Sequence, residues 1–192
     1  LKVFSIGNPA NPTLVARHNV SSELDQAIDV RTSGDCAFFV STVTGLHILN
    51  ISNPRNLISI SNLSIMSATG IYIEGNLAYV MVQNSLKIVN ITDPAHPDLI
   101  GSCPTLSTSK DVYVAGNLAY VADSDQGLMI INVTNPTAPY SLSSCNTSDY
   151  AEGVWVAGDY AYVSNARDSV VVVDVSNPRN PVIVDSDDPS PS

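Results

Sequence analysis

The chain has 192 residues and a formal charge of -10, from 8 Lys+Arg against 18 Asp+Glu. Such a balance repels a phosphate backbone and excludes nucleic acid as a partner. With 44% apolar and 14% charged residues it can bury a real core, which excludes a disordered tail or a coiled coil, and no apolar run approaches the roughly 20 residues of a membrane-spanning helix.

In chain order, residues 1–16 hold two short strand patterns, Leu1-Lys-Val-Phe-Ser-Ile6 and Thr13-Leu-Val-Ala16. Asn8-Pro9 and Pro12 separate them with turn chemistry that no helix could cross. Four repeats follow, at about 27-60, 68-102, 109-145 and 151-186. Their first marker is Gly-[Asn/Asp], at Gly34, Gly75, Gly116 and Gly158, 41, 41 and 42 residues apart. Their second is [Asn/Asp]-Pro, at Pro9, Pro54, Pro94, Pro136 and Pro178, spaced 45, 40, 42 and 42. Two independent markers share one period, so each repeat is one structural unit.

The third repeat shows what the unit contains. Asp111 to Ala115 reads as strand one, and Gly116-Asn117 supplies the positive backbone angles of a tight hairpin. Leu118 to Ala122 is strand two, Asp123-Ser-Asp-Gln-Gly127 a polar loop, and Leu128 to Val133 strand three. Asn135-Pro136 and Pro139 make a turn before strand four, Tyr140 to Ser144. Strand three is apolar almost throughout, as in Val170-Val-Val-Val-Asp-Val175, so it is expected to be buried on both faces. Repeating four-stranded antiparallel units predict an all-β array of β-propeller type with about four and a half repeats, in which each blade is stable only against its neighbours.

The motif Gly-[Asn/Asp]-x-Ala-Tyr-Val, followed by an apolar strand ending in [Asn/Asp]-[Ile/Val]-[Ser/Thr]-[Asn/Asp]-Pro-x-x-Pro, closely resembles LVIVD repeats. The resemblance covers nearly the whole chain. It implies a β-propeller and a secreted or cell-surface protein of microbial type, and it carries no fixed chemistry.

Residues 1–16 match strands three and four only, so the array of residues 1–186 begins with half a blade. Three arrangements remain open: a segment of a longer propeller, an edge covered by a neighbouring copy, or a small ring with one incomplete blade. The stretch 187–192 reads as a Pro/Ser/Asp linker or tail. With a first residue Leu1 and no basic-then-apolar leader, both ends read as cuts in a longer chain.

Three cysteines, Cys36, Cys103 and Cys145, cannot all pair within a monomer. Cys103 and Cys145 fall nine residues after Pro94 and Pro136, at equivalent strand-four ends, and are the candidate disulfide. Equivalent outer positions on adjacent blades usually exceed the ~7 Å that a disulfide tolerates between α-carbons, which weighs against it. Cys36 reads as a small core residue in the column of Leu77, Leu118 and Tyr160.

Six N-glycosylation sequons begin at Asn19, Asn50, Asn62, Asn90, Asn132 and Asn146. Asn50, Asn90 and Asn132 stand where the fourth repeat has Asp174, so the same side chain also reads as a cap on the following turn. Asn19, Asn62 and Asn146 read as lying in connections between repeats, where a glycan has room. His18, His47 and His96 lack ligand spacing. Asp123 and Asp125 resemble half a calcium loop without its bidentate Glu, which leaves a polar hairpin loop. Tyr79, Tyr120 and Tyr162 recur at one repeat position and read as core, while Trp155 is a candidate lining residue for a channel mouth. No Ser, Cys or Thr has a base to activate it, and no cofactor is expected.

These features predict a non-enzymatic extracellular or cell-surface scaffold for structure or adhesion, N-glycosylated and able to assemble head to tail. Its partners would be neighbouring copies or further blades of the same chain. The alternative is a ligand- or protein-binding propeller module of a larger secreted protein, using loops that differ between repeats.

Overall fold

The computed structural model describes residues 1–18, 26–167 and 169–187, and every regular element among them is a strand. β1 (Lys2–Ser5) and β2 (Thr13–Arg17) form a two-stranded antiparallel sheet. Four four-stranded sheets follow, each a meander whose strands pair in chain order. Blade one is β3 (Ala27–Ser33), β4 (Cys36–Ser41), β5 (Gly45–Asn50) and β6 (Ile58–Leu63). Blade two is β7 (Ala68–Glu74), β8 (Leu77–Val82), β9 (Ser85–Asn90) and β10 (Asp98–Pro104). Blade three is β11 (Asp111–Ala115), β12 (Leu118–Ala122), β13 (Leu128–Asn132) and β14 (Tyr140–Cys145), and blade four is β15 (Ala151–Ala157), β16 (Tyr160–Asn165), β17 (Val170–Asp174) and β18 (Val182–Asp187). The array is of propeller type, with the first strands β3, β7, β11 and β15 side by side in succession.

Hairpin chemistry fixes where strand two begins. Gly34, Gly75, Gly116 and Gly158 take φ of +54°, +56°, +58° and +59° between paired strand ends. The Asp or Asn that follows keeps a negative φ, so only the glycine supplies a positive angle, as in a turn with glycine at its first central position. Strand three then runs back beside strand two, and the next turn is capped by its own side chain. Asn50, Asn90, Asn132 and Asp174 accept hydrogen bonds from the backbone N–H two residues on, at 2.9–3.1 Å. Both turns therefore lie on the same rim.

Alternation along each strand gives every blade two apolar faces, and burial comes from stacking them. The leading face of blade one (Phe38, Val40, Leu46, Ile48) packs on the trailing face of blade two (Ile71, Ala78, Val80, Val89). The leading face of blade two (Tyr79, Met81, Leu86, Ile88) does the same with Val112, Ala119, Val121 and Ile131 of blade three. Blade three continues the series with Tyr120, Leu128 and Ile130 against Val154, Ala161, Val163 and Val173. At the start of the array Leu1 packs against Ala37, Phe39 and Leu49, so the half blade covers the outer part of blade one.

Hydrogen bonds register the stack. Asp29 Oδ2 accepts the Ile71 N–H at 3.1 Å, and Asp111 Oδ2 accepts the Val154 N–H at 3.1 Å. At the outer side, Ser61 and Ser143 hydroxyls donate to the Pro94 and Pro178 carbonyls at 2.6 Å. Blade two has Gly101 in that column, where an added Cβ would lie 2.0 Å from the Pro136 carbonyl oxygen.

Strand three is enclosed in β5, β9 and β13, but β17 is half exposed on one face. This departs from expectation for a simple reason: no described residue packs over the leading face of blade four.

Candidate functional site

Of the sequence candidates, the sequons form the most regular arrangement. Asn50, Asn90 and Asn132 occupy one column on the turn rim, each half-buried with its Oδ1 turned into the cap. At two of them the sequon hydroxyl also donates to that oxygen, Ser52 to Asn50 at 2.6 Å and Thr92 to Asn90 at 2.7 Å. Asn146 is exposed in the β14–β15 connection and accepts the Ser148 N–H at 2.7 Å. Asn62 differs from expectation: it lies inside β6, not in a connection. Its amide nitrogen donates to the Thr44 and Leu46 carbonyls, each at 3.2 Å, and stands 3.2 Å from His47 Nε2. Asn19 falls outside the described residues.

The cysteines are free. Cys103 belongs to the core between blades two and three, and Cys145 packs on the core between blades three and four. A whole blade separates their surroundings, which is why the Cys103–Cys145 disulfide does not form in this structure. Burial, first of all, pushes all three thiols above their ordinary pKa, helped at Cys36 by the Asp35 carboxylate. Cys36 packs at the edge of the first inter-blade core as a small residue.

The histidines are less scattered than their spacing indicates. His47 stacks on Phe39 at 4.5 Å and His18 meets the same ring edge-on at 6.3 Å. Burial, with the N-terminal amine adding, lowers the His18 pKa. His96 pairs with Asp93 at 2.8 Å in an exposed turn.

Asp123 is a fully buried latch, where the sequence indicated a plain polar loop. Its carboxylate accepts the Leu106 N–H at 2.9 Å, the Ser107 N–H at 3.2 Å and the Ser109 hydroxyl at 2.7 Å. Asn165 does the same work one blade later, accepting from the Thr147 hydroxyl at 3.2 Å. These bonds tie the end of strand two to the connection arriving from the preceding blade. Beside them, on the rim opposite the turn caps, an open polar cleft is lined by Asp125, Asn146, Ser148, Asp149, Tyr150 and Arg167. Arg167 Nε lies 3.7 Å from Asp149 Oδ2.

On the first strands, Arg31, Tyr72, Tyr113 and Trp155 hold one repeat position. Tyr72 and Tyr113 rings lie 5.0 Å apart, and Tyr113 and Trp155 4.7 Å. Burial, and after it the neighbouring Tyr113, pushes the Tyr72 phenol up to about 12. Arg31 pairs with Asp29 at 2.6 Å.

Exposure along the repeat columns locates the site that the sequence pattern missed. Phe38, Tyr79 and Tyr120 are 2%, 4% and 5% exposed, whereas Tyr162 in the same column is 40% exposed. Reading Tyr162 as core is therefore corrected. Trp155, at 61%, ends the stacked row among the described residues. Tyr160, Val170 and Val184 complete an exposed apolar face on blade four. At the other end Phe4 is 49% exposed, although Leu49, Val89, Ile131 and Val173 in its column are all at 0%. Val30 is likewise exposed where Ile71, Val112 and Val154 are buried, because the two described strands of the half blade do not cover it.

Four successive segments, residues 26–65, 65–105, 108–147 and 148–188, match the LVIVD repeat. The chain belongs to the LVIVD-repeat family. No curated protein matches it. Among solved structures it is similar to a functionally unknown protein from Desulfotomaculum acetoxidans, with a TM-score of 0.75 and 21% identity over 91% of this chain and 59% of that one. It is also similar to the computationally designed protein Ika8, with a TM-score of 0.69 and 9% identity over 91% of this chain and 52% of the other. These likenesses concern the fold alone, and the LVIVD chain spans little more than half the length of either structure. No helix among the described residues is long and apolar enough to cross a membrane.

Proposed function

We propose that this LVIVD-repeat chain is a non-enzymatic scaffold for structure or adhesion, outside the cell or on its surface, carrying N-glycans and assembling head to tail. The observation that carries the reading is the sequon column. Asn50, Asn90 and Asn132 sit at the same exposed turn of three successive blades, each beside a Ser or Thr two residues on. Glycans there would dress one rim at a regular spacing and leave the opposite rim free. No step of this function needs a nucleophile, a base or a bound metal.

The test is expression in a glycosylating secretory host, with intact mass measured before and after glycosidase treatment and the peptides mapped. A mass that falls on deglycosylation, with sugar on at least two of the three rim asparagines, is the expected result. An unchanged mass close to that of the bare chain overturns the glycoprotein reading.

A second reading is a ligand-binding module of a larger secreted protein. The polar cleft between Asp125 and Arg167 favours it, because its side chains do not repeat from blade to blade. Retention on a glycan or peptide array that is lost in Arg167→Ala would support this alternative.

A further inference from the structure

We infer that the open leading face of blade four is a docking surface for the half blade of a second copy of this chain. The inference rests on the scaffold reading above and gives its head-to-tail contact a location. Within the chain, a leading face is always covered by the trailing face of the next sheet, three times in succession. Among the described residues, the last leading face and the trailing face of the half blade lack that cover, and they are the two members of the same kind of contact. Val170 and Tyr162 stand in columns that are otherwise closed within the four blades, as does Phe4 on the half blade, and Ile6 beside it is exposed too.

The charges at the two ends are complementary. Where the interior of the stack has Cys103 and Cys145, blade four has Asp187 at the register position opposite Val170, and Asp185 lies opposite Val172. Cys103 shares its core with Met129, and Cys145 packs on the core that contains Val171. In the Met129 and Val171 column the half blade has Lys2, paired in register with Arg17. Asp185 thus stands on the face that would meet the position of a basic pair, in a chain with only 8 basic residues against 18 acidic ones. Asp185 also replaces the Ser61 and Ser143 hydroxyls that donate to proline carbonyls inside the stack. That carboxylate cannot repeat the internal bond and is suited to a cation.

Shape points the same way. Val30 is left exposed beside the two-stranded half blade, and the inner strands of blade four carry Trp155 and Tyr160, the bulkiest members of their columns.

The experiment uses the full 192-residue chain from a host that adds no N-glycan, studied by sedimentation or light scattering up to roughly 100 µM, where an interface of ordinary size associates. Phe4→Asp disables the half-blade end and Tyr162→Asp disables the blade-four end. Both residues are exposed, and circular dichroism checks that each variant folds. The wild-type chain is expected to associate, each variant alone to weaken association by at least about tenfold, and their equimolar mixture to restore a species of two copies through its one intact contact. A wild-type chain that stays monomeric overturns the inference and favours cover by further blades of the same polypeptide. So does a variant that still self-associates, or a mixture that fails to pair. A monomer here leaves the glycosidase test untouched, because this protein carries no sugar.

Discussion

Asp111 Oδ2 accepts the backbone N–H of Val154 at 3.1 Å, while its Oδ1 accepts the N–H of Val112 at 2.9 Å, so one half-buried carboxylate stitches blade three to blade four. Burial raises its pKa, the two N–H donors oppose that rise, and Asp29 nearby adds to it. A carboxyl whose pKa is higher in the fold than in the unfolded chain stabilises most below the unfolded value. That contribution is lost as pH climbs through the raised value. Asp93 and Asp174 have lowered values, from hydrogen bonds to His96 and Ser176, and act in the opposite direction. The informative quantity is therefore the pH dependence of the difference between wild type and Asp111→Asn, which keeps one of the two acceptor oxygens without the charge. The variant should gain stability relative to wild type as pH rises from the acid range to neutrality, measured by urea midpoints. Asp111→Ala should lose about 1–3 kcal/mol at every pH, because it orphans the Val154 donor.

Tyr120 and Tyr162 are the same residue in the same column, one covered by the next blade and one not. Tyr120→Ala should cost about 3–5 kcal/mol, as large-to-small changes in a packed core do, and Tyr162→Ala no more than about 1 kcal/mol. Chemical denaturation of the two variants side by side checks this. Equal costs would mean that blade four is covered in solution by something other than solvent.

The repeat period, strand order and hairpin positions are legible because two markers recur at one period and a two-residue alternation has only one way to bury both faces. Tyr162 shows where that reading stops. Its local sequence, Tyr160-Ala-Tyr-Val163, is nearly that of Leu118-Ala-Tyr-Val121, and the difference in burial comes from the absent neighbour. The burial of Asp123 within its hairpin loop escapes the sequence for a related reason: its partners Leu106, Ser107 and Ser109 lie 14 to 17 residues away, and no local pattern announces them. Asn62 reads as part of a connection because strand four has weak alternation, yet its amide donates to the Thr44 and Leu46 carbonyls across the sheet.

Asn90 separates the capping role from the sugar. Asn90→Asp removes the sequon and keeps the oxygen that accepts the Thr92 N–H at 3.0 Å, the arrangement that Asp174 shows naturally with Ser176. Asn90→Ala removes both. In unglycosylated protein the first variant should melt with wild type and the second should lose about 1 kcal/mol. Equal losses in both would mean that the cap contributes little and that the column is kept for another reason.

Two glycines with positive φ are predicted to differ sharply. Gly116 takes φ +58° in a hairpin with nothing within 4 Å of an added Cβ, so Gly116→Ala faces only the left-handed backbone penalty of about 1–2 kcal/mol. Gly127 takes φ +77°, and its Cβ would lie 2.5 Å from both the Cys145 carbonyl oxygen and the Thr147 nitrogen. Those atoms are backbone and cannot rotate aside. Gly127→Ala must therefore push β13 away from the end of β14, disturbing the segment that Asn165 holds through Thr147. Its cost should exceed that of Gly116→Ala by at least about 2 kcal/mol. Hydrogen exchange should show the excess as faster exchange in residues 145–147 and in β14, with blade one unaffected. Loss spread evenly over all four blades would instead mean that the array unfolds as one unit.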